Sequence, residues 1–279
     1  MAAVTPDINI AIDRGSTFCD VIAQIDGQPD LIFKLLSVDP QNYHDASIEA
    51  IRRVLEFFEG RSIPRGQLLD GSRIGSTIAT NALLEQKREK FALATTKGFR
   101  DICVIGDRTR PKLFALNMKK AEALHHAVIE IDERITVEDY DPNPSPMEET
   151  DSPSDPALVH TDTGTIIRII NPIHVTETRK QLRALREKGY ISLAICLIHS
   201  YLFPDHEKVV ADLARQEGFK YVTTFIDANP TIKYLRRSTS VCSEAYLHPI
   251  VQGYVQSFQS GFKILPRRVD FMCSDSGLR

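Results

Sequence analysis

The stretch INIAIDRGSTFCDV, residues 8–21, decides the reading of this chain. Residues 8–12 are an apolar run with the composition of a buried strand. Asp13, Arg14, Gly15, Ser16 and Thr17 interrupt it, and a second apolar run begins at once. Strand, small-residue turn and strand together make a hairpin. Gly15 lets the backbone approach a ligand closely, and Ser16 and Thr17 add hydroxyls and N–H donors at the tip. Asp13 and Asp20 bracket the turn, where two carboxylates can hold a hydrated divalent cation. The local chemistry is that of Mg²⁺-bound phosphate recognition, or else of an ordinary hairpin with a polar turn.

Outward from that hairpin, strand-like segments fall at 18–25, 31–36, 73–75 and 91–95. Residues 45–58 place Ile48, Ile51, Leu55 and Phe58 on one helical face. Residues 77–86 read as a helix capped by Ser76 or Thr77, and 98–102 as a short helix opening. Residues 139–162, DYDPNPSPMEETDSPSDPALVHTD, are rich in proline, acid and serine and read as an irregular surface insertion. The pattern resumes with a strand at 164–170, a helix at 175–188 closed by Gly189, and a continuous apolar strand at 192–198. A helix follows at 204–217, then a strand at 221–225. A long helix at 240–261, bent at Pro249, and a last strand at 269–273 complete the order. Strands alternating with helices predict an α/β fold.

Composition narrows the function classes. The chain has 279 residues, 42% hydrophobic, with a formal net charge of −3, enough for a real core and one large or two modest domains. The near-neutral balance gives no electrostatic case for nucleic acid. No apolar run approaches the length of a membrane span, so no membrane partner is expected. The first residues, MAAVTPDINI, lack the pattern of a secretory signal. Five scattered cysteines (Cys19, Cys103, Cys196, Cys242 and Cys273) without a CxxC pair fit free thiols in a reducing, cytoplasmic setting. Cys242 reads as core.

Five ordered stretches resemble the hydantoinase A / 5-oxoprolinase family, in particular the N-terminal part of eukaryotic ATP-dependent 5-oxoprolinases. They are DRGSTFCD (13–20), IGSTIATNALLEQKREKFALATTKGFRDICVIGDRTRPKLFAL (74–116), HSYLFPDHE (199–207), AYL with Pro249 (245–249) and FMCSDSGL (271–278). The resemblance implies a ribonuclease-H-like mixed sheet with helices on both faces, the first lobe of the acetate and sugar kinase, actin and heat-shock ATPase superfamily. It implies an N-terminal domain at 6–217, carrying the insertion, and the start of a second domain at 218–279. The family's second phosphate hairpin, its adenosine-binding segment and its hydantoinase B-like region have no counterpart here, so the implied lobe is truncated and not expected to act alone.

The implied activity is ATP-dependent hydrolysis of 5-oxo-L-proline to L-glutamate in glutathione turnover, with ATP and Mg²⁺ as cofactors. The hydantoinase B-like region and a possible homodimer belong to the full-length protein. In that reading Asp13, with Asp20, holds Mg²⁺ or its waters. Arg14, Gly15, Ser16 and Thr17 face the phosphates, and Asp13, Thr17 and Asn81 stand nearest the reacting atoms. Thr77, Thr80 and Asn81 receive a substrate carboxylate or phosphoryl group at a helix start, or only cap that helix. Arg108, Arg110 and Asp275 are substrate-side candidates, with solvated loop residues as the alternative. His199 follows a buried strand, where α/β sheets place functional groups, and equally suits a satisfied structural histidine. Three positions depart from the family forms: Ser16 and Ser276 stand for glycine, and Cys19 for threonine. A serine at Ser16 is costly if that turn needs positive φ. Two other readings remain: a non-catalytic remnant or partner-binding lobe, and an ATP-dependent hydantoinase for another cyclic amide.

Overall fold

The structure is a computed structural model that describes residues 8–25, 27–59, 71–85, 90–107, 122–138, 155–228, 231–262 and 268–272. Its elements run β1 (Ile8–Arg14), β2 (Phe18–Ile25), β3 (Leu31–Leu36), α1 (Ala46–Glu59), β4 (Gly71–Ser76), α2 (Ile78–Glu85), β5 (Phe91–Thr96) and α3 (Ile102–Ile105). They continue with β6 (Ala127–Ile131), β7 (Arg134–Val137), β8 (Leu158–His160), β9 (Ile166–Asn171), α4 (Val175–Glu187) and β10 (Ser192–Cys196). Last come α5 (Asp205–Gln216), β11 (Tyr221–Thr224), α6 (Phe225–Ala228), α7 (Tyr234–Ser260) and β12 (Val269–Phe271). Two compact units result: residues 1–87 with 250–279, and residues 88–249.

The first unit holds the mixed sheet, in the order β12-β4-β1-β2-β3. The hairpin strands β1 and β2 are antiparallel, as are β2 and β3, while β4 runs parallel to both β1 and β12. This order and direction is the ribonuclease-H-like mixed sheet that the family resemblance implies. Strict alternation along β1 buries Ile8, Ile10 and Ile12 and leaves Asn9, Ala11 and Asp13 exposed. On the buried face α1 contributes Ala50, Ile51, Val54 and Leu55, and the end of α7 contributes Phe258. Asp45 starts α1 by accepting the backbone N–H groups of Ser47 (2.9 Å) and Ile48 (3.1 Å) at Oδ1.

The second unit is built on a fully parallel sheet, β11-β10-β5-β6. Its central strands β5 and β10 are buried at every residue, as continuous apolar runs predict. Leu182 and Leu185 of α4 and Val210 and Ala211 of α5 pack against Leu193 and Ile195 of β10. Both helices stop in the same way. Gly189 and Gly218 take φ of 87° and 85°, and Tyr190 N–H and Phe219 N–H reach back to the Leu185 and Ala214 carbonyls. Across the sheet, Ser192 donates to the Ala245 carbonyl of α7 and Tyr234 to the Cys196 carbonyl.

A separate antiparallel sheet, β7-β9-β8, belongs to the same unit. It corrects one expectation: the insertion 139–162 is not irregular throughout, because Leu158–His160 pairs with β9. Arg168 of β9 fastens that end, pairing with Asp155 and Glu138 at 2.6 Å each. Residues 139–154 lie outside the described residues.

Candidate functional site

The turn between β1 and β2 is held from beneath. Gly15 N–H donates to the Phe18 carbonyl (2.9 Å), and a Cβ on Gly15 would lie 3.1 Å from that oxygen, so a side chain there needs the turn to give by a few tenths of an ångström. Ser37, just after β3, donates its hydroxyl to the Gly15 carbonyl (2.8 Å) and its N–H to the Thr17 carbonyl (2.9 Å). With these carbonyls engaged, Ser16 and Thr17 sit exposed at the tip. Among the described residues His199 is the sole non-glycine with positive φ. Ser16 in a glycine's place therefore stores no left-handed strain, and the cost foreseen for it does not arise. Cys19 faces the core, fully buried, and burial pushes its thiol up to about 11. Its replacement of threonine alters packing under the hairpin, not the exposed face.

Asp13 and Asp20 are direct cross-strand partners, both exposed on the outer face of the sheet. Opposed residues bring their Cβ atoms to about 5 Å. Asp20 also pairs with Lys34 of β3 at 2.9 Å. Mg²⁺ keeps most of its water and takes only one or two carboxylates, so this donor pair fits a hydrated ion. Among the described residues no group of three or more His, Cys, Asp or Glu side chains forms a metal cage.

Parallel pairing of β4 with β1 brings the second polar segment to the same end of the sheet, with Asp13 opposite Gly75 and Arg14 opposite Ser76. The Arg14 carbonyl accepts both the N–H (3.1 Å) and the hydroxyl (3.3 Å) of Thr77, and Asn81 Nδ2 donates to Thr77 Oγ1 at 3.0 Å. Ser76 Oγ accepts the Ile78 N–H and caps α2. The hairpin and the start of α2 are thus bonded together, with Thr80 exposed one turn in. Arg108, Arg110 and Asp275 lie outside the described residues.

Arg14 points the other way. Its guanidinium pairs with Asp45 at 2.8 Å, donates to the Ser37 carbonyl at 3.3 Å and lies over the Tyr254 ring at 5.2 Å. It joins the hairpin to the N-terminus of α1 and to α7. Asp45, Ser37 and Tyr254 escaped the sequence reading. The alternation that buries Ile8, Ile10 and Ile12 also turns position 14 inward, and that signal marks Arg14 as a tie rather than a surface charge.

Residues 9–218 match the family model described as the hydantoinase/oxoprolinase N-terminal region. The chain belongs to this family. It is 60% identical to the 5-oxoprolinase PfmaA of Pestalotiopsis fici over 99% of its length, and 42% identical to the 5-oxoprolinase of Saccharomyces cerevisiae over 98%. It spans only 22% of the length of each of these relatives. Among solved structures it resembles the ATP-dependent caprolactamase of Pseudomonas jessenii, with TM-score 0.72 and 20% identity, over 97% of this chain and 36% of that one. It also resembles nucleotide-free acetone carboxylase, with TM-score 0.65 and 19% identity, over 98% of this chain and 37% of that one. These two likenesses show a shared fold.

Proposed function

We propose that this chain is the phosphate-binding lobe of an ATP-dependent 5-oxoprolinase, acting in the cytoplasm within glutathione turnover. The observation that carries the reading is the paired Asp13 and Asp20 beside the Gly15–Ser16–Thr17 turn, with the Arg14 carbonyl at the foot of that turn accepting from Thr77, which in turn accepts from Asn81 at the start of α2. ATP supplies phosphoryl activation of the lactam oxygen, which lets water open a ring that otherwise resists hydrolysis, giving L-glutamate, ADP and phosphate.

The chain's own groups orient and neutralise. Asp13 holds the hydrated cation, with Asp20 beside it. The N–H groups and hydroxyls of Ser16 and Thr17 receive phosphate oxygens. Thr77 and Asn81 set the far wall of the site, and the first turn of α2 adds its positive dipole end. Arg14 acts at one remove, by fixing the turn to α1 through Asp45. Arg108, Arg110 and Asp275 remain the substrate-side candidates, and the hydantoinase B-like region is the expected partner in a protein of the relatives' full length.

Phosphoryl transfer requires charge stabilisation around the whole phosphate chain, and one hairpin reaches only part of it. The isolated chain is therefore expected to bind Mg²⁺-ATP weakly and not to turn it over. A protein of full relatives' length containing this lobe should release L-glutamate from 5-oxo-L-proline with ATP. Asp13→Ala should cut that rate by at least about a hundredfold, the scale of losing a positioned charge-stabilising group. An unchanged rate would remove Asp13 from the site. Substrate-stimulated ATP turnover by the 279-residue chain, abolished by Asp13→Ala, would make the lobe self-sufficient.

A further inference from the structure

The parallel sheet of the second unit has a topological switch point. β5 is flanked by its successor β6 on one side and by β10 on the other, so the chain leaves the C-terminal ends of β5 and β10 in opposite directions. Crevices of this kind are where open α/β sheets bind ligands. The residues used below all belong to the second unit, and the inference does not rest on the reading proposed above.

The loop after β10 is held on every side. Leu197 N–H donates to Glu207 (2.8 Å), and Ile198 N–H to Thr96 Oγ1 (3.0 Å). Ser200 Oγ donates to the Leu197 carbonyl (3.0 Å) while receiving Arg237 Nη1 (2.6 Å). Leu202 and Phe203 N–H both close on the His199 carbonyl. The result is a histidine at φ 61°, a conformation that costs a side-chain-bearing residue on the order of 1 kcal/mol or more.

That strain does not give the ring Nδ1 of His199 a hydrogen bond. Its Nδ1 is buried without a partner, on a side chain that is otherwise partly exposed. Charges of both signs surround it. Burial is the largest cause holding the ring neutral, Arg134 and Arg237 add to it, and Glu133 acts against them. Arg237 is 1% exposed and lies over the Tyr201 ring at 5.3 Å, and that ring lies 6.0 Å from His199. Its Nε also lacks a partner.

The nearby acids are already engaged. Glu133 takes His206 Nδ1 (2.7 Å) and the Thr96 hydroxyl, and Glu207 takes the Leu197 and Phe225 N–H groups. What is left over is a ring nitrogen without a partner, near two guanidinium groups. A neutral imidazole presents that nitrogen as a donor in one tautomer, and an anionic oxygen selects it.

We propose that His199 is the contact residue of a small-anion site at this switch point, taking a carboxylate or phosphoryl oxygen. Nitrogen-15 NMR of the full chain reads the ring nitrogens directly, with His199 assigned from its loss in His199→Asn. Titration with acetate and, separately, with inorganic phosphate should give a saturable shift at Nδ1. The responding probe tells a carboxylate site from a phosphoryl site.

His199→Gly should raise the thermal midpoint by about 2–4 °C, because glycine takes the left-handed backbone freely. It should also weaken the responding probe at least about tenfold in calorimetry. His199→Asn keeps a residue that tolerates this backbone and should lose the same affinity. No response to either probe overturns the proposal. So does undiminished binding in both variants, which would make His199 a packing residue.

Discussion

Asp13 and Arg14 are neighbours in the chain with opposite environments, and the difference follows from strand alternation alone. Odd positions of β1 face water, so Asp13 meets Asp20 on the exposed face, while Arg14 turns under the sheet to Asp45. The residue types of DRGST were legible in the sequence. The side on which each would lie was legible too, had the alternation been carried one residue further. The partners of Arg14, 31 residues away at Asp45 and far along α7 at Tyr254, were not, because only the fold brings them in. Glu207 is a second residue whose role needs the fold. Burial raises its carboxyl to about 7, against the pull of the Leu197 N–H, Ser200, the Phe225 N–H and Arg237. The folded state then holds a proton that the unfolded state releases near its ordinary 4.5. Stability from this group is complete below that value and is lost as pH rises through about 7, a change on the order of 3 kcal/mol. Urea unfolding from pH 4.5 to 8 should show this decline in the native chain and a flatter profile in Glu207→Gln, apart from a constant offset for the lost acceptor. Parallel profiles would show that Glu207 does not titrate in this window.

At the scale of elements, helical periodicity located α1, α4 and α5 closely, because each buries one apolar stripe. It missed the first turns of α7, placed at 240 rather than at Tyr234. The reason lies in buried polar residues there: Arg237 and Ser238 occupy inward positions that an apolar pattern does not mark. Strands β6, β7 and β8 also went unread. They are three to five residues long; β6 and β7 exist through long-range pairing with β5 and β9, which strand propensity does not record, and β8 pairs locally with β9 at the end of the proline-rich stretch. Pro249 inside α7 has a specific consequence. It has no N–H, so the Ala245 carbonyl one turn earlier lacks its helical donor. The Ser192 hydroxyl of β10 fills that place at 2.8 Å, bonding sheet to helix at the proline. Ser192→Ala should therefore cost about 1–3 kcal/mol by leaving a buried carbonyl bare. In a Pro249→Ala background the restored N–H can satisfy the same oxygen, and the cost of Ser192→Ala should fall by at least half. A double-mutant cycle in urea measures the coupling; additive costs would mean that the proline and the serine act independently.

At the scale of the whole molecule, the mixed sheet leaves one face in water. Phe18 pairs with Leu36 and Ile22 with Ile32 across β2 and β3, with the Asp20–Lys34 ion pair between the two apolar rungs. All four apolar side chains are exposed, Ile32 at 69%. Large contiguous apolar patches are uncommon on a monomeric soluble protein, whereas scattered apolar residues are ordinary, and two apolar rungs divided by one ion pair fall between the two cases. The chain also spans about a fifth of its relatives' length, 22% of PfmaA, so this face is seen without most of the polypeptide those proteins carry. Two consequences can be measured on the chain as it stands. It should bind the dye ANS in its folded state, and it should self-associate as concentration rises in sedimentation velocity. Replacing Ile22 and Ile32 together by threonine keeps β-branching and strand propensity while removing one apolar rung. Since both side chains already lie in solvent, the double variant should unfold within about 1 kcal/mol of the native chain. ANS fluorescence and the sedimentation shift should both fall clearly. If the native chain binds no more dye than the double variant and both stay monomeric, the exposed rungs do not behave as an apolar surface, and the ion pair between them is enough to keep that face wet.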